Sequence, residues 1–235
     1  MQLFQNELLR NQLYNYIKEK MNSGELKPGD IINQKKLSEE IGIGRTPFRD
    51  CMIQLEAEGF VTIIPCKGVV VRAMSFEEIM DCQEIGGALE SRAAELAFRH
   101  VKKYSIEKLE AIVAAVEKNL DNGILTECYE KNEEFHTLIL KGCHNQPIAS
   151  MIINLRERLY DFPQLDLAPV LKWERIFWNE HRHIVEILRN GTAEELGEYY
   201  RKVHWAVEGK EEYWENLFNI PAGSVKKYLV QRDEA

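Results

Sequence analysis

The chain has 235 residues, of which 45% are hydrophobic and 29% charged, and its formal net charge is −8. This composition is that of water-soluble globular domains, and the length suffices for one large domain or two modest ones. Apolar runs such as AIVAAV at 111–116 are too short to span a membrane, and no signal peptide is visible. The five cysteines are scattered without a CxxC pair, which predicts reduced thiols in a cytoplasmic protein.

The acidity is unevenly distributed along the chain. Residues 1–73 hold 10 Lys and Arg against 9 Asp and Glu, a net charge of +1, and the remainder therefore carries −9. A near-neutral front part joined to an acidic back part indicates two domains with different tasks.

Two helices are predicted before residue 43. Apolar residues at helical spacing, including Leu13, Ile17 and Met21, predict an amphipathic helix over 4–21. The Gly- and Pro-rich stretch SGELKPGD predicts a turn, and QKKLSEEIG then predicts a short helix that ends at Gly42.

A third helix and a hairpin follow. Thr46 and Pro47 are typical of a helix start, as a capping hydroxyl and a first-turn proline, and Gly59 ends that helix. FVTII at 60–64 and GVVVR at 68–72 are β-branched runs that predict a two-stranded hairpin. This order of elements is the outline of a winged helix-turn-helix.

Helical periodicity dominates the rest of the chain. The predicted helices cover residues 75–100, 105–121, 124–142, 146–161, 167–190 and 193–218. The predicted fold is therefore mainly α, with an N-terminal winged helix-turn-helix and a C-terminal all-α bundle of six to seven helices. We place the first domain at 1–73, the helical domain at 74–220 and a polar tail at 221–235.

Arg45 and Arg49 lie four residues apart at the start of the third predicted helix and so share one face of it. The second helix of a helix-turn-helix enters the major groove N-terminus first, where arginines bind guanine or phosphate bidentately. Thr46 can reach a phosphate or a thymine methyl group. The alternative is that these side chains are solvated charges on a surface helix.

Other basic residues suit the same surface. Lys35 and Lys36 begin the preceding helix, which crosses the DNA backbone in this motif. Lys67 and Gly68 form the hairpin tip, where a basic side chain and an unobstructed backbone suit a wing that approaches the minor groove.

Residues 26–71, LKPGDIINQKKLSEEIGIGRTPFRDCMIQLEAEGFVTIIPCKGVVV, resemble the GntR family of bacterial transcription regulators almost throughout. That family's pattern runs L-x-P-G, then S-R-T-P-V-R-E-A-L, then L-x-x-E-G-L-V and a basic-Gly wing. The resemblance implies that Arg45, Thr46, Arg49 and the wing at Lys67-Gly68 contact DNA. Gly44 stands where the pattern has serine, which removes a phosphate contact or a helix cap.

Histidines from three predicted helices could bind one metal ion. Asn132 and His136 are spaced i, i+4 on one helix, His181 lies on a later helix, and His204 on the next. Three inward-pointing imidazoles are a known ligand set for divalent metals. The alternative is that each is an ordinary core or surface histidine.

The helical half resembles the FCD effector domain, which carries D-x-x-F-H, then E-H-x-x-I, then a final histidine. Asn132 with His136, His181 with the preceding Glu180, and His204 match those positions. The resemblance implies a divalent ion, with Zn²⁺ favoured over Ni²⁺, Mn²⁺ or Fe²⁺. Its ligands would be three histidines and the Asn132 oxygen, and its open positions would take water or an effector carboxylate.

Two departures from the FCD pattern concern ligand binding. Asn132 replaces an acid, and a neutral carbonyl is a weaker metal ligand. Gly86 replaces the arginine of R-x-x-x-E, so a carboxylate effector loses an anchor or the pocket is wider for a larger ligand. Arg156, Arg158 and Tyr160 are candidates to take the arginine's place, of which Arg156 and Tyr160 are our predicted effector-binding residues.

These features predict a homodimeric regulator, most simply a repressor, that binds a short pseudo-palindromic operator in double-stranded DNA under the control of a small-molecule effector. A metal-dependent enzyme that uses the three-histidine site is the alternative, because an ion with an open position resembles catalytic zinc. A sensor whose ion is structural or absent is a third hypothesis.

Overall fold

A computed structural model describes residues 2–159 and 167–233 of the chain. The chain divides into two compact units, Met1–Ser75 with Arg156–Pro163, and Phe76–Leu155 with Gln164–Ala235. Among the described residues, no helix has both the length and the apolar character that crossing a bilayer requires.

The first unit is a winged helix-turn-helix, as the sequence predicted. Its elements are α1 (Gln2–Asn22), β1 (Ile31–Ile32), α2 (Gln34–Ile41), α3 (Arg45–Ala57), β2 (Val61–Ile64) and β3 (Gly68–Val71). The three strands form an antiparallel sheet in the order β1-β3-β2. Sequence reasoning missed β1, because two residues carry no alternation and gain their pairing from β3.

The core of this unit is formed by the apolar faces that the helical periodicity predicted, closed by one face of the sheet. Its fully buried members from α1 and α3 are Leu13, Ile17, Cys51 and Leu55, each with no exposed surface. From the sheet, Ile32, Val61, Val69 and Val71 complete the cluster.

Helix α3 begins one residue earlier than Thr46. The Gly44 carbonyl accepts the amide of Phe48 at 3.2 Å, so Gly44 is the N-cap and Thr46 lies within the first turn. No side chain caps this end. The other end is closed by Gly59 at φ +84°, with the Gly59 amide bonded to Glu56 and the next amide to Leu55. That pattern is a Schellman motif, which fixes where the hairpin begins.

Gly44→Ser is expected to stabilise the protein by a few tenths of a kcal/mol, because serine is a better N-cap than glycine. Gly44 has φ −78° and ψ 170°, which serine adopts readily, and an added Cβ would lie 3.9 Å from Pro47 Cδ. Urea unfolding measures the change. The matched control is Gly42→Ser, which is expected to lose about 1–2 kcal/mol because Gly42 has φ +68°. Equal losses for both variants would contradict the assigned cap.

The second unit is all-helical within the described residues. Its elements are α4 (Phe76–Tyr104), α5 (Ile106–Asp121), α6 (Cys128–Gly142), α7 (Gln146–Leu159), α8 (Leu167–Asn190), α9 (Ala193–Tyr199), a π-helical turn (Tyr200–His204), α10 (Glu211–Phe218) and α11 (Ser224–Asp233). Helix α4 packs against α5, α6, α8, α9 and the π turn. The last turn of α7 belongs to the first unit.

The predicted single helix over 193–218 is wrong. The amide of Trp205 bonds to the carbonyl of Tyr200 at 2.9 Å, which is the i→i+5 spacing of a π turn. The chain then leaves the helix, turns at Gly209 with φ +80°, and re-enters a helix as α10. π turns are frequent at functional sites, and this one carries His204.

The tail predicted at 221–235 is instead largely helical, since α11 covers Ser224–Asp233. Val225 has no exposed surface, and Phe76 meets the rings of Phe218 and Tyr228 edge-on at 5.3 and 5.2 Å. Arg232 also pairs with Asp81 at 3.2 Å. These contacts fix α11 against the start of α4, and the polar composition of the segment concealed them.

Candidate functional sites

The start of α3 presents a basic, solvent-exposed face in the first unit. Arg45, Thr46 and Arg49 are all exposed. The Arg49 guanidinium lies 3.3 Å from an Asp50 carboxylate oxygen, with 72% of the arginine side chain exposed. Such an exposed pair contributes little stability, so Arg49 can exchange Asp50 for a phosphate or a base at small cost.

Ile53 extends this face by a further turn and was missed by sequence reasoning. It lies four residues after Arg49 and is 51% exposed, while the other side of α3 is buried. Its spacing from Arg45 and Arg49 was the available signal, and an exposed apolar side chain there can meet a thymine methyl group.

The remaining predicted DNA-contacting residues are exposed at the ends of secondary-structure elements. Lys35 and Lys36 lie in the first turn of α2, where Asn33 Oδ1 caps the Lys36 amide at 3.1 Å. Lys67 and Gly68 lie at the β2–β3 turn, and Gly68 has φ +109°. That backbone conformation favours glycine, so the tip keeps a low profile beside Lys67.

The second unit brings together the three predicted histidines. His136 comes from α6, His181 from α8 and His204 from the π turn, and one ring nitrogen of each lies within 4.8 Å of the others. The Nε2 atom of His136 is 3.1 Å from that of His181 and 3.3 Å from that of His204. His136 and His181 are buried, each 1% exposed.

Each imidazole is oriented through its other nitrogen. His136 Nδ1 lies 2.6 Å from Glu90 Oε1, and His204 Nδ1 lies 3.1 Å from Glu180 Oε2. His181 Nδ1 lies 2.7 Å from the carbonyl oxygen of Phe177, which can only accept a hydrogen bond. In neutral imidazoles this arrangement places the proton on Nδ1 and leaves Nε2 with its lone pair.

Three Nε2 lone pairs therefore converge in one place, where His136 and His181 are buried and His204 is half-buried. Neutral imidazoles in this tautomer cannot donate to one another through Nε2, so a cation shared by the three lone pairs suits the arrangement. Tetrahedral Zn²⁺, with Zn–N bonds of about 2.0–2.1 Å, would separate its nitrogen ligands by roughly 3.3 Å. The separations of 3.1 and 3.3 Å from His136 Nε2 fit such an ion, and the partners on Nδ1 are the outer contacts that metal-bound histidines ordinarily make.

Glu90 is shared between His136 and Trp205. It has no exposed surface, and its Oε2 accepts the Trp205 indole N–H at 2.6 Å. The indole ring lies over Gly86, where an added Cβ would be 2.3 Å from Trp205 Cζ3. The space left by a glycine at this position is thus filled by Trp205, and the prediction of a pocket widened there is wrong.

Gly86→Ala is expected to destabilise the protein by about 1–3 kcal/mol, the usual cost of overpacking a buried contact. The methyl group must displace the Trp205 ring, which is 7% exposed and bonded to Glu90. Urea unfolding followed by circular dichroism measures the loss. Adding Trp205→Ala to Gly86→Ala should make the alanine at 86 nearly neutral, whereas an unchanged cost in that background would exclude the clash as its cause.

Lys210 contacts Glu180, the carboxylate that lies next to His204 Nδ1. Its Nζ is 2.9 Å from Glu180 Oε1, 2.8 Å from the carbonyl of Val203 and 2.9 Å from the carbonyl of His204. Burial lowers the pKa of Lys210, and the charge and hydrogen bond of Glu180 act in the opposite direction. Sequence reasoning matched Glu90 to the glutamate of R-x-x-x-E but did not predict its contacts, and it missed Lys210 and the role of Trp205. The partners of these residues are distant in sequence or lie beyond the break in the predicted helix.

The other residues predicted to bind the metal or the effector are Asn132, Arg156 and Tyr160. Asn132 is half-buried and lies one helical turn before His136. Its role as a fourth metal ligand stays a prediction. Arg156 is buried and belongs to the first unit, and its contact with an effector also stays a prediction. Tyr160 lies outside the described residues. His183 points away from the cluster, with its Nδ1 2.9 Å from the Asn179 carbonyl.

Comparisons with known proteins agree with both units. Residues 81–202 match the FCD domain, and residues 9–71 match the gntR family of bacterial regulatory proteins. The uncharacterized HTH-type transcriptional regulator YdhC of Bacillus subtilis is 27% identical over 184 residues, which cover 78% of this chain and 82% of YdhC. The HTH-type transcriptional repressor GlaR of Escherichia coli is 29% identical over 158 residues, 63% of this chain and 67% of GlaR.

Solved structures show the same fold. McbR/YncC of E. coli has a TM-score of 0.69 at 18% identity, covering 88% of this chain and 96% of that one. A GntR transcriptional regulator from Rhodococcus sp. RHA1 has a TM-score of 0.59 at 14% identity, covering 89% and 95%.

A winged helix-turn-helix unit with an exposed basic helix start, followed by an all-helical unit, defines a DNA-binding transcriptional regulator. The chain belongs to the GntR family of bacterial transcriptional regulators and carries an FCD domain after its DNA-binding domain. The matched domains and relatives are those of regulators and not of enzymes, so the metal-dependent enzyme considered from the sequence is not supported.

Proposed function

We propose that this protein is a homodimeric repressor that acts in the cytoplasm on a short pseudo-palindromic operator. Its affinity for DNA is set by a small acidic metabolite, which binds beside a divalent ion held by His136, His181 and His204. The observation that carries the proposal is the convergence of three Nε2 atoms, two of them on buried histidines, whose Nδ1 partners leave them without protons.

The DNA half of the proposal rests on the exposed face of α3. Arg45 and Arg49 project from its first two turns, and Lys67 lies at the tip of the wing. Two copies in a dimer would place two such helices in successive major grooves, about 34 Å apart. The near-neutral first domain avoids the repulsion that the acidic helical domain would exert on phosphates.

The ligand half rests on the chemistry of the histidine cluster. Three neutral imidazoles with outer carboxylates suit Zn²⁺ first, and Ni²⁺, Mn²⁺ or Fe²⁺ as alternatives. The Asn132 oxygen would be a fourth, weaker ligand. A tetrahedral ion held by the three imidazoles keeps its fourth position for a carboxylate, and an ion that also binds Asn132 would accept a carboxylate by expanding to five-coordination. The ion's charge supplies the attraction that an arginine at position 86 would otherwise give.

Repression is proposed by analogy with GlaR, which is described as a transcriptional repressor. An effector that binds one arrangement of the dimer better than another would shift the population between them and change operator affinity. Couplings of this kind are typically about 1–3 kcal/mol, or roughly 5–150-fold in affinity.

Fluorescence anisotropy with an operator selected from a random library tests the proposal. Metal-free protein, Zn²⁺-loaded protein and Zn²⁺-loaded protein with each of a panel of small carboxylic acids are titrated at several salt concentrations. We expect operator affinity to fall steeply with salt and to change at least fivefold with one of the acids in the Zn²⁺-loaded protein alone. Operator binding indifferent to metal and to every acid would contradict effector control, and no selected operator would contradict sequence-specific binding.

A further inference from the structure

We propose that Lys210 is a positioning residue for the metal-binding face of His204. The inference rests on the function proposed above. Lys210 touches no predicted ligand atom, and its ammonium group holds both the backbone of His204 and the carboxylate that orients the imidazole.

The three N–H donors of the ammonium group are all used. One binds the Glu180 carboxylate, with Oε1 at 2.9 Å and Oε2 at 3.2 Å, and the others bind the carbonyls of Val203 and His204. Lys210 is 6% exposed and Glu180 is also 6% exposed, so water does not supply these contacts instead. A buried lysine with every donor paired has one defined position.

The π turn explains why a side chain is needed here. The chain leaves the helix after His204, so the carbonyls of Val203 and His204 do not receive the i+4 amides of a continuing helix, and the Val203 carbonyl instead accepts the Ala206 amide at 3.3 Å. The Lys210 ammonium binds two of them from the far side of the loop, which is the role that basic side chains play at helix C-termini. This contact fixes where the backbone places the His204 ring.

Glu180 provides the second hold on the same ring. Its Oε2 is 3.1 Å from His204 Nδ1, while Lys210 binds the same carboxylate. Lys210 therefore constrains His204 in two ways, through its backbone carbonyl and through the carboxylate that accepts from its Nδ1–H. The rings of His136 and His181 are oriented independently of Lys210, by Glu90 and by the Phe177 carbonyl respectively. His204 is therefore the predicted metal ligand whose position depends on Lys210.

Co²⁺ binding to Lys210→Met tests the proposal, because the absorption bands of bound Co²⁺ report ligand geometry. Methionine keeps the length of the side chain and removes its donors. We expect Co²⁺ affinity, measured in competition with a chromophoric chelator, to fall about 10–100-fold, the usual effect of losing an outer contact of a metal ligand. The visible spectrum of the bound ion should also change.

Lys202→Met is the matched control. Lys202 lies in the same π turn, but its side chain is exposed and pairs with Glu198 on the surface. It should leave both affinity and spectrum as in the wild type. A purely structural role for Lys210 would lower the thermal midpoint of the metal-free protein and leave the spectrum of bound Co²⁺ unchanged, which would overturn the proposal.

Lys210→Gln replaces the methionine variant if the latter fails to fold, because its amide keeps two donors for the carbonyls. We expect an intermediate loss of Co²⁺ affinity. Affinity within twofold of the wild type, in whichever variant folds, overturns the inference. Wild-type protein that takes up no Co²⁺ contradicts the proposed function itself, so the two failures are distinguishable.

Discussion

Replacing His136 with alanine is expected to abolish the stabilisation that Zn²⁺ gives to the wild-type protein. At a free Zn²⁺ concentration 100 times the dissociation constant, a single site stabilises a folded protein by about 2.7 kcal/mol. His136 is central to the cluster, since its Nε2 is 3.1 Å from that of His181 and 3.3 Å from that of His204. Without it, two imidazoles remain, and they bind Zn²⁺ far more weakly than three.

Thermal unfolding with and without Zn²⁺ measures this effect for each variant against its own metal-free state, so that the loss of packing at a buried residue cancels. His183→Ala is the matched control, because His183 is on the same helix as His181, has 46% of its side chain exposed and points elsewhere. It should retain the full Zn²⁺-dependent shift. An equal shift in His136→Ala would show that the ion binds at another place.

Replacing Arg49 with alanine is expected to weaken operator binding by about 1–3 kcal/mol for each half-site. In a dimer both half-sites lose the contact, so the total loss is about 2–6 kcal/mol, or at least roughly 30-fold. The physical reason is the loss of a guanidinium that can bind a guanine or a phosphate through two N–H groups. Arg45→Ala should give a loss of the same order, because the two side chains share one face of α3.

Anisotropy titrations at one fixed salt concentration compare these variants with the wild type. Arg92→Ala in the helical unit removes an arginine of similar exposure, 59% against 72%, and should leave affinity within twofold. The pattern of loss across operator sequences is informative as well. A base contact relaxes specificity at one position, whereas a phosphate contact weakens all sequences alike. Unchanged operator affinity in Arg49→Ala would exclude α3 as the helix that contacts the operator bases.

The winged helix-turn-helix was predictable because its signals are local. Gly42 and Gly59 both adopt the positive φ that helix stops require, and the β-branched runs formed the hairpin. The break in the predicted helix over 193–218 was not predictable in the same way. The segments before and after the break are both helical and both have helical periodicity. The π turn between them is stabilised by Lys210 and by the packing of Trp205 against Gly86, which are contacts between residues distant along the chain or beyond the break.

The candidate metal site shows the same contrast between local signals, which were predictable, and contacts between distant residues, which were not. The histidine positions followed from spacing and from resemblance to the FCD pattern, and the structure brings all three together. The groups that orient them were hidden, because Glu90 is 46 residues from His136 and 115 from Trp205. Such residues meet only through tertiary packing. Sequence spacing could therefore indicate the three histidines but not the hydrogen-bond partners that set their tautomers.

The three histidines are expected to bind one divalent ion in each protomer. Calorimetric titration of chelator-treated, full-length protein with Zn²⁺ measures this, with His136→Ala titrated in parallel. We expect saturation at one Zn²⁺ per chain in the wild type and the loss of that site in the variant. Wild-type protein that takes up no Zn²⁺, or a variant that binds it equally well, would exclude the histidine cluster as a metal site.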